Sequence, residues 1–361
     1  MSDPDDQSVE PEQAQHGREY LLGELLKNVS RSFYLTLRVL PRGLRAPIGL
    51  GYLLARAADT IADTQLVLPA QRLEHLLSFR AQVNDGIDET SLARIQAAFS
   101  GHQSDSHERK LLNLLRPSLA LLDTLSPADR AEVQRVVTTL TRGMEMDLRT
   151  FPLETSGQIV ALKTREELDL YIYLVAGCVG EFWTKMTVAH SPELHGWDVD
   201  AMSRTGIRFG KALQMTNVLR DCAKDLRIGR CYLPLELLTP AGVAPEDLLK
   251  PENAARAQPV LRTLLGVALD HFAAAEDYIL AIPPRCGRLR LACLWPVLIG
   301  LATLQKLAAN PDWLNPDRPS KVSRSSVKRT LALSLPAVGS DTLVRMWIDH
   351  LMKSVRAEIA A

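Results

Sequence analysis

Two aspartate pairs carry the chemistry this sequence offers. Asp59 and Asp63 close the apolar run 49–58, and Asp221 and Asp225 close the run 209–220. On a helix, residues i and i+4 share one face with their Cβ atoms ~5–6 Å apart. Like charges repel there, and Asp is a poor interior helix former. A fold seldom carries that cost twice without compensation. Hard divalent cations compensate it, because they take oxygen ligands and in turn hold phosphate oxygens. Mg²⁺ uses one or two carboxylates plus phosphate oxygens and water. It also stabilises a departing diphosphate, so that a C–O bond can ionise to a carbocation. One such pair alone is best read as a solvated helix face. Two, each in an apolar setting beside arginines, favour metal ligation.

Basic side chains stand where an anion would need them. Arg56 precedes Asp59 by three, Arg220 adjoins Asp221, and Arg227 and Arg230 follow Asp225. Ser30-Arg31-Ser32 can donate to phosphate oxygens, or its serines can cap a helix. Gln214 and Asn217 lie at i−7 and i−4 from Asp221. They are either buried amides in a helix contact or members of a metal or phosphate shell. Tyr52, Tyr171 and Tyr173 read as core tyrosines with satisfied hydroxyls. The five cysteines form no Cys-x-x-Cys pair and are odd in number, which fits structural thiols in a reducing cytosol.

The elements that must position these residues are helices. Helix-period patterns run near 18–39, 43–63, 69–84, 106–123, 127–149, 165–189, 199–226, 252–281, 286–309 and 340–357, with Pro and Gly at the breaks. Strand alternation is almost absent. The expected fold is all-α, with a disordered acidic tail over 1–17 and a single domain over 18–361. Several helices are apolar nearly all round and therefore lie inside. Enough of them together could line a central apolar cavity with the aspartates at its mouth. The longest apolar run, 291–304, is interrupted by Pro296 and reads as a buried core helix. Lys+Arg and Asp+Glu both number 42, so no basic excess points to nucleic acid. The acidic start reads against a signal peptide. The segment 343–352 is amphipathic and can rest on lipid, though packing on the bundle is the preferred use.

Taken together, Ser30-Arg31-Ser32-Phe33 and the blocks 52–63, 143–147, 171–180, 214–225 and 229–234 resemble the squalene/phytoene synthase family of head-to-head isoprenoid synthases. The resemblance runs from Ser30 to Lys328. It implies the all-α isoprenoid synthase bundle around a central cavity. It implies Asp59, Asp63, Asp221 and Asp225 as Mg²⁺ ligands, with Asn217 assisting. Diphosphate would be held by Ser30, Arg31, Ser32, Arg56 and Arg230, with Phe33 and Arg220 alongside. Tyr171 would handle a proton or stabilise a cation. Tyr52 and Gln214 would line the site. Val175, Ala176, Gly177 and Gly180 would relax their helix and admit prenyl chains, as a small-residue stripe on a buried helix makes room.

The implied reaction joins two farnesyl diphosphates through presqualene diphosphate and reduces the product to squalene. Water must be kept from the cation. Lys321 and Arg324 are similar to a basic segment that squalene synthases use for NADPH, although as plain sequence they are a basic loop at a helix start. Two departures stand out: Ala62 where many squalene synthases carry Glu, and Leu174 in place of an aromatic. The resemblance implies a bacterial-type cytoplasmic enzyme, monomer or homodimer, with peripheral contact to the inner membrane face for product release. Rivals within the fold are phytoene, dehydrosqualene and hydroxysqualene synthases, which do not reduce. A non-catalytic assembly or scaffold protein is the rival of another class, disfavoured because all four aspartates are present.

Overall fold

A computed structural model describes residues 17–30, 33–101, 105–152 and 156–360. Of the tail expected over 1–17, only Gly17 is described, and it is helical. The all-α expectation holds: the described chain is helical almost throughout. It divides into two compact units, Met1–Leu148 and Arg149–Ala361.

The first unit contains α1 (Leu26–Ser30), α2 (Phe33–Val39), α3 (Arg42–Asp63), α4 (Pro69–Asp85), α5 (Glu89–Ser100), α6 (Ser106–Asn113), α7 (Leu115–Ala120) and α8 (Pro127–Thr150). The central element is α3, which packs on α1, α4, α6 and α7 and buries Leu44, Ile48, Leu53, Leu54, Ala57 and Ile61. Start signals are local. Asp88 accepts from Thr90 N at 3.0 Å to open α5, and Asp105 accepts from His107 N at 2.8 Å to open α6. Pro69 stands at the first position of α4, where a missing N–H costs nothing. Two expected helices are broken. The stretch 18–39 contains a π-helical turn, Leu21–Leu25, before α1 and α2. The stretch 106–123 breaks at Leu114 (φ −102°, ψ 20°).

The second unit contains α9 (Arg165–Ile172), α10 (Cys178–His190), α11 (Val199–Asp225), α12 (Leu235–Leu238), α13 (Ala254–Ala281), α14 (Gly287–Ala308), α15 (Arg324–Ala337) and α16 (Asp341–Ala360). A π-helical turn, Tyr173–Gly177, joins α9 to α10. Here α11 is central, packed on α10, α13 and α14. The two-residue strands β1 (Val160–Ala161) and β2 (Arg230–Cys231) pair in parallel. Among the described helices, the stretch Pro284–Ala308 that contains α14 is long and apolar enough to cross a bilayer, yet it is mostly buried. This is the core helix read from the sequence. Arg290 on α14 is fully buried; it donates to Val338 O at 3.1 Å and to Asp341 Oδ1 at 2.5 Å. Helix α16 buries Val344, Ile348, Met352 and Val355 and packs on α14, the preferred use of the 343–352 segment.

Candidate active site: two aspartate-bearing helix ends

Both aspartate pairs occupy the last turn of their helix. Asp63 is the final residue of α3 and Asp225 the final residue of α11. The C-terminal end of a helix carries the negative pole of its dipole, so anions are disfavoured there. The carboxylates are thus opposed both by each other and by the backbone, and each end recruits cations.

On α3, Arg56 Nη1 donates to Asp59 Oδ2 at 2.5 Å. Its Nη2 donates to Glu108 of α6. Burial lowers the pKa of this guanidinium, but Asp59 and Glu108 outweigh it and raise the pKa above its ordinary value. Arg56 Nε is buried with no hydrogen-bond partner. The final carbonyls are also served. Thr64 Oγ1 donates to Thr60 O at 2.6 Å and Thr60 Oγ1 to Arg56 O at 2.9 Å. From α4, Arg72, 1% exposed, donates through Nη1 to Ala62 O at 2.7 Å. A cation on a terminal carbonyl satisfies an orphan acceptor and offsets the dipole together. Asp59 is half-buried and Asp63 exposed.

On α11, Arg220 grips its neighbour in the chain. Its Nε donates to Asp221 Oδ1 at 3.0 Å and its Nη2 to Oδ2, a two-point pair. Arg227 Nη1 donates to Ala223 O at 2.9 Å. The chain leaves through the turn Leu226–Ile228 and Gly229 at φ +81°, a conformation that glycine adopts freely. Arg230 then enters β2 and is buried. The pairing of β2 with β1 is extended by Val160 N→Gly229 O and Leu162 N→Cys231 O, both 3.0 Å. An ion pair, Arg165–Glu236, ties the start of α9 to the start of α12.

Tyr171, 7% exposed on α9, stacks on Tyr232 at 4.6 Å between ring centroids. Tyr232 meets Phe151 edge-on at 5.2 Å. The core reading of Tyr171 is therefore met by an aromatic trio; Tyr52 and Tyr173 are half-buried. Of the two readings for the amides, the buried helix contact fails for Asn217. It is exposed, and its Nδ2 donates to Gln214 Oε1 at 3.2 Å. The pair stands on α11 one and two turns before Asp221. Ser30 is buried and its Oγ has no hydrogen-bond partner. Arg31 and Ser32 lie outside the described residues, and of Phe33 only the backbone is described, as the first residue of α2. Lys321 and Arg324 are exposed; Ser323 caps α15 by accepting from Ser326 N at 3.1 Å.

The small-residue stripe needs correction. The π-helical turn Tyr173–Gly177 does relax the helix at Val175, Ala176 and Gly177, but the room beside the glycines is filled by backbone. A Cβ on Gly180 would sit 1.8 Å from Gly206 O, and one on Gly210 would sit 2.2 Å from Ala176 O. A Cβ on Gly177 would meet Ile207 at 3.3 Å. Ala176, Gly177 and Gly180 let α11 approach closely rather than opening space for a chain.

The cysteines are free, as expected. Burial pushes the Cys231 and Cys293 thiols to about 12 and the Cys222 thiol well above its usual value. None of these three is poised as a nucleophile. Sequence reasoning missed Glu108, Arg72, Gly206, Gly210 and Phe151. Tyr232 lay in a matched block without drawing notice.

These donors fit Mg²⁺. The candidate ligands are hard oxygens, partly open to solvent. Among the described residues no three His, Cys, Asp or Glu side chains form a ready-made cage, and Mg²⁺ rarely uses one.

Known proteins match the chain along most of its length. The profile of the squalene/phytoene synthase family matches residues 26–326. The chain is 31% identical over 72% of its length to a bifunctional lycopene cyclase/phytoene synthase of Colletotrichum graminicola, spanning 41% of that protein. It is 28% identical over 86% of its length to the squalene synthase ERG9 of Saccharomyces cerevisiae, spanning 65% of it. It is 30% identical over 84% of its length to a presqualene diphosphate synthase of Zymomonas mobilis, spanning 88% of it. A solved complex of TcSQS with the ligand BPH1237 superposes with a TM-score of 0.75 at 20% identity, covering 96% of this chain and 99% of that one.

Proposed function

Because the chain belongs to the squalene/phytoene synthase family, we propose that it is a squalene synthase, condensing two farnesyl diphosphates head to head to presqualene diphosphate and reducing that to squalene with NADPH. One observation carries the reading. Each aspartate pair is set on the last turn of a helix, where repulsion and dipole both oppose it, and each is held by an arginine. Such an arrangement persists where cations and a phosphate ligand repay it.

Mg²⁺ would be held by Asp59, Asp63, Asp221 and Asp225 with Asn217, and would supply charge to stabilise leaving diphosphate. Arg56 and Arg220 neutralise the carboxylates beforehand and then turn their donors to phosphate oxygens, joined by Arg230 and the unpartnered Ser30 hydroxyl. The Tyr171–Tyr232 stack offers π-faces to a cation. Lys321 and Arg324 serve the NADPH phosphate.

A second reading has its own support. This chain spans 88% of the presqualene diphosphate synthase, against 65% of the yeast squalene synthase and 41% of the bifunctional lycopene cyclase/phytoene synthase. In that case the reaction stops before reduction. Incubation of the protein with farnesyl diphosphate and Mg²⁺, with and without NADPH, separates the two. Squalene formed only with NADPH supports the first reading. Presqualene diphosphate accumulating under both conditions selects the second. Absence of diphosphate release overturns both. Asp59→Asn and Asp221→Asn should each lower turnover about a hundredfold or more with an unchanged helical CD spectrum.

A further inference from the structure

Glu108 lies outside every sequence block that marks the site, yet its carboxylate reaches it. Asp105 opens α6, and Glu108 follows in the first turn, where a glutamate ordinarily folds back to cap its own helix. Here its Oε1 accepts from Arg56 Nη2 across 52 residues. The other terminal nitrogen of Arg56 donates to Asp59 Oδ2 at 2.5 Å. One guanidinium thus joins two carboxylates, while its buried Nε has no hydrogen-bond partner.

The two carboxylates are not equivalent. Glu108 sits at the start of α6, where the positive pole of the helix dipole favours an anion. Asp59 sits near the end of α3, where the negative pole disfavours one. Side-chain exposure runs the same way: 16% for Glu108, 22% for Arg56 and 39% for Asp59. The favoured partner lies inward and the disfavoured one faces outward, where a cation would arrive. Arg220 is used differently, since its Nε and Nη2 both go to Asp221.

We propose that Glu108 is a positioning residue that divides Arg56, keeping its charge from closing fully on Asp59 so that Asp59 can yield to a divalent cation, and receiving the guanidinium when it does. This role presupposes the metal ligation proposed above for Asp59. A guanidinium paired with Asp59 alone would compete with the metal for the same oxygens at full strength; shared with a second carboxylate, it competes at part strength. Glu108 also gives the displaced cation a counter-ion, so that the half-buried charge of Arg56 is not left unpaired.

Mn²⁺ takes the same hard oxygen ligands as Mg²⁺ and reads the effect without substrate. It is titrated into the full chain and the free ion is followed by EPR. Glu108→Gln keeps the shape of the side chain and removes its charge. Arg56 then turns wholly to Asp59, and the Mn²⁺ Kd should rise about tenfold with an unchanged CD spectrum. Arg56→Gln should lower the Kd, because the competing cation is gone. Adding Glu108→Gln to Arg56→Gln should then move the Kd by less than about twofold. A parent chain that binds no Mn²⁺ removes the metal reading and this role with it. Binding in the parent that is unchanged in Glu108→Gln overturns the role of Glu108 alone. So does a loss that persists undiminished beside Arg56→Gln, which would make Glu108 a plain field charge. Weaker binding in Arg56→Gln alone overturns it too, since Arg56 would then support the metal site rather than compete with it.

Discussion

The last turn of α3 is closed by Arg72, a buried guanidinium reaching back ten residues from α4, whereas the last turn of α11 is closed by Arg227, an exposed side chain four residues from the carbonyl it serves. The acidic partners differ in the same way. Arg56 is shared between Asp59 and Glu108 of α6, while Arg220 grips the residue next to it. The arginines named here draw on tertiary partners at one helix end and on neighbours in sequence at the other. What fixes α11 instead is its middle, where Gly206 and Gly210 meet backbone from Gly180 and Ala176. The same acidic motif can therefore be made rigid at its tip or along its shaft.

The largest test of that difference is on the shaft. In Gly206→Ala the new methyl would stand 2.6 Å from Gly180 O, with backbone that cannot step aside, and should cost about 3 kcal/mol in urea unfolding. Gly49→Ala on α3 meets only side-chain tips, Leu26 at 3.1 Å and Leu22 at 3.6 Å. It should be near neutral, since alanine also favours the helix. A comparable loss at Gly49 would erase the contrast.

Next comes the tip. Arg72→Met should destabilise by about 2 kcal/mol, because it strands the Ala62 carbonyl in the core. Farnesyl diphosphate turnover should fall with it, as the last turn of α3 loosens.

A pH experiment follows. His271 on α13 has a buried Nδ1 without a hydrogen-bond partner. Burial first, then Lys211 and Arg208 of α11, hold its pKa at about 4, against the opposing pull of Asp169 and Asp270. Between the unfolded value of 6.5 and about 4 the unfolded chain binds a proton that the folded chain refuses. Stability therefore falls as pH drops through that window and levels off below it. His271→Gln should flatten the decline. Hydrogen exchange should show α11 loosening before α3; simultaneous loosening would mean that acid acts elsewhere.

The smallest effect is expected at Arg227→Met, within about 0.5 kcal/mol of the parent. A loss equal to that at Arg72 would show that the exposed cap is as firm as the buried one.

Much of this was readable from the sequence where local rules govern. The spans 43–63, 69–84, 127–149 and 286–309 match α3, α4, α8 and α14 to within a residue or two, because apolar periodicity, Pro and capping residues set them. Helices α5 and α15 escaped, α5 although Leu92, Ile95 and Phe99 form its buried stripe. The π-helical turns at Leu21–Leu25 and Tyr173–Gly177 could not be seen, since their extra residue keeps the composition of a helix. At the site, the acidic pairs and nearby arginines were legible. Glu108 and Arg72 were not, because an ion pair across 52 residues and a cap across ten leave no periodic trace. The glycine stripe was noticed but assigned to empty space, since small residues are equally required where two backbones touch.

Arg290 has a consequence for how the chain is made. The most apolar long helix emerges from the ribosome carrying a guanidinium whose carboxylate, Asp341, lies 51 residues downstream. Until α16 is synthesised, that charge cannot be buried in comfort and the apolar flank that α16 covers stays open. Completion of the second unit must therefore wait for α16, and chains truncated just before Asp341 should fail to reach the folded state that chains carrying α16 through Ala360 attain.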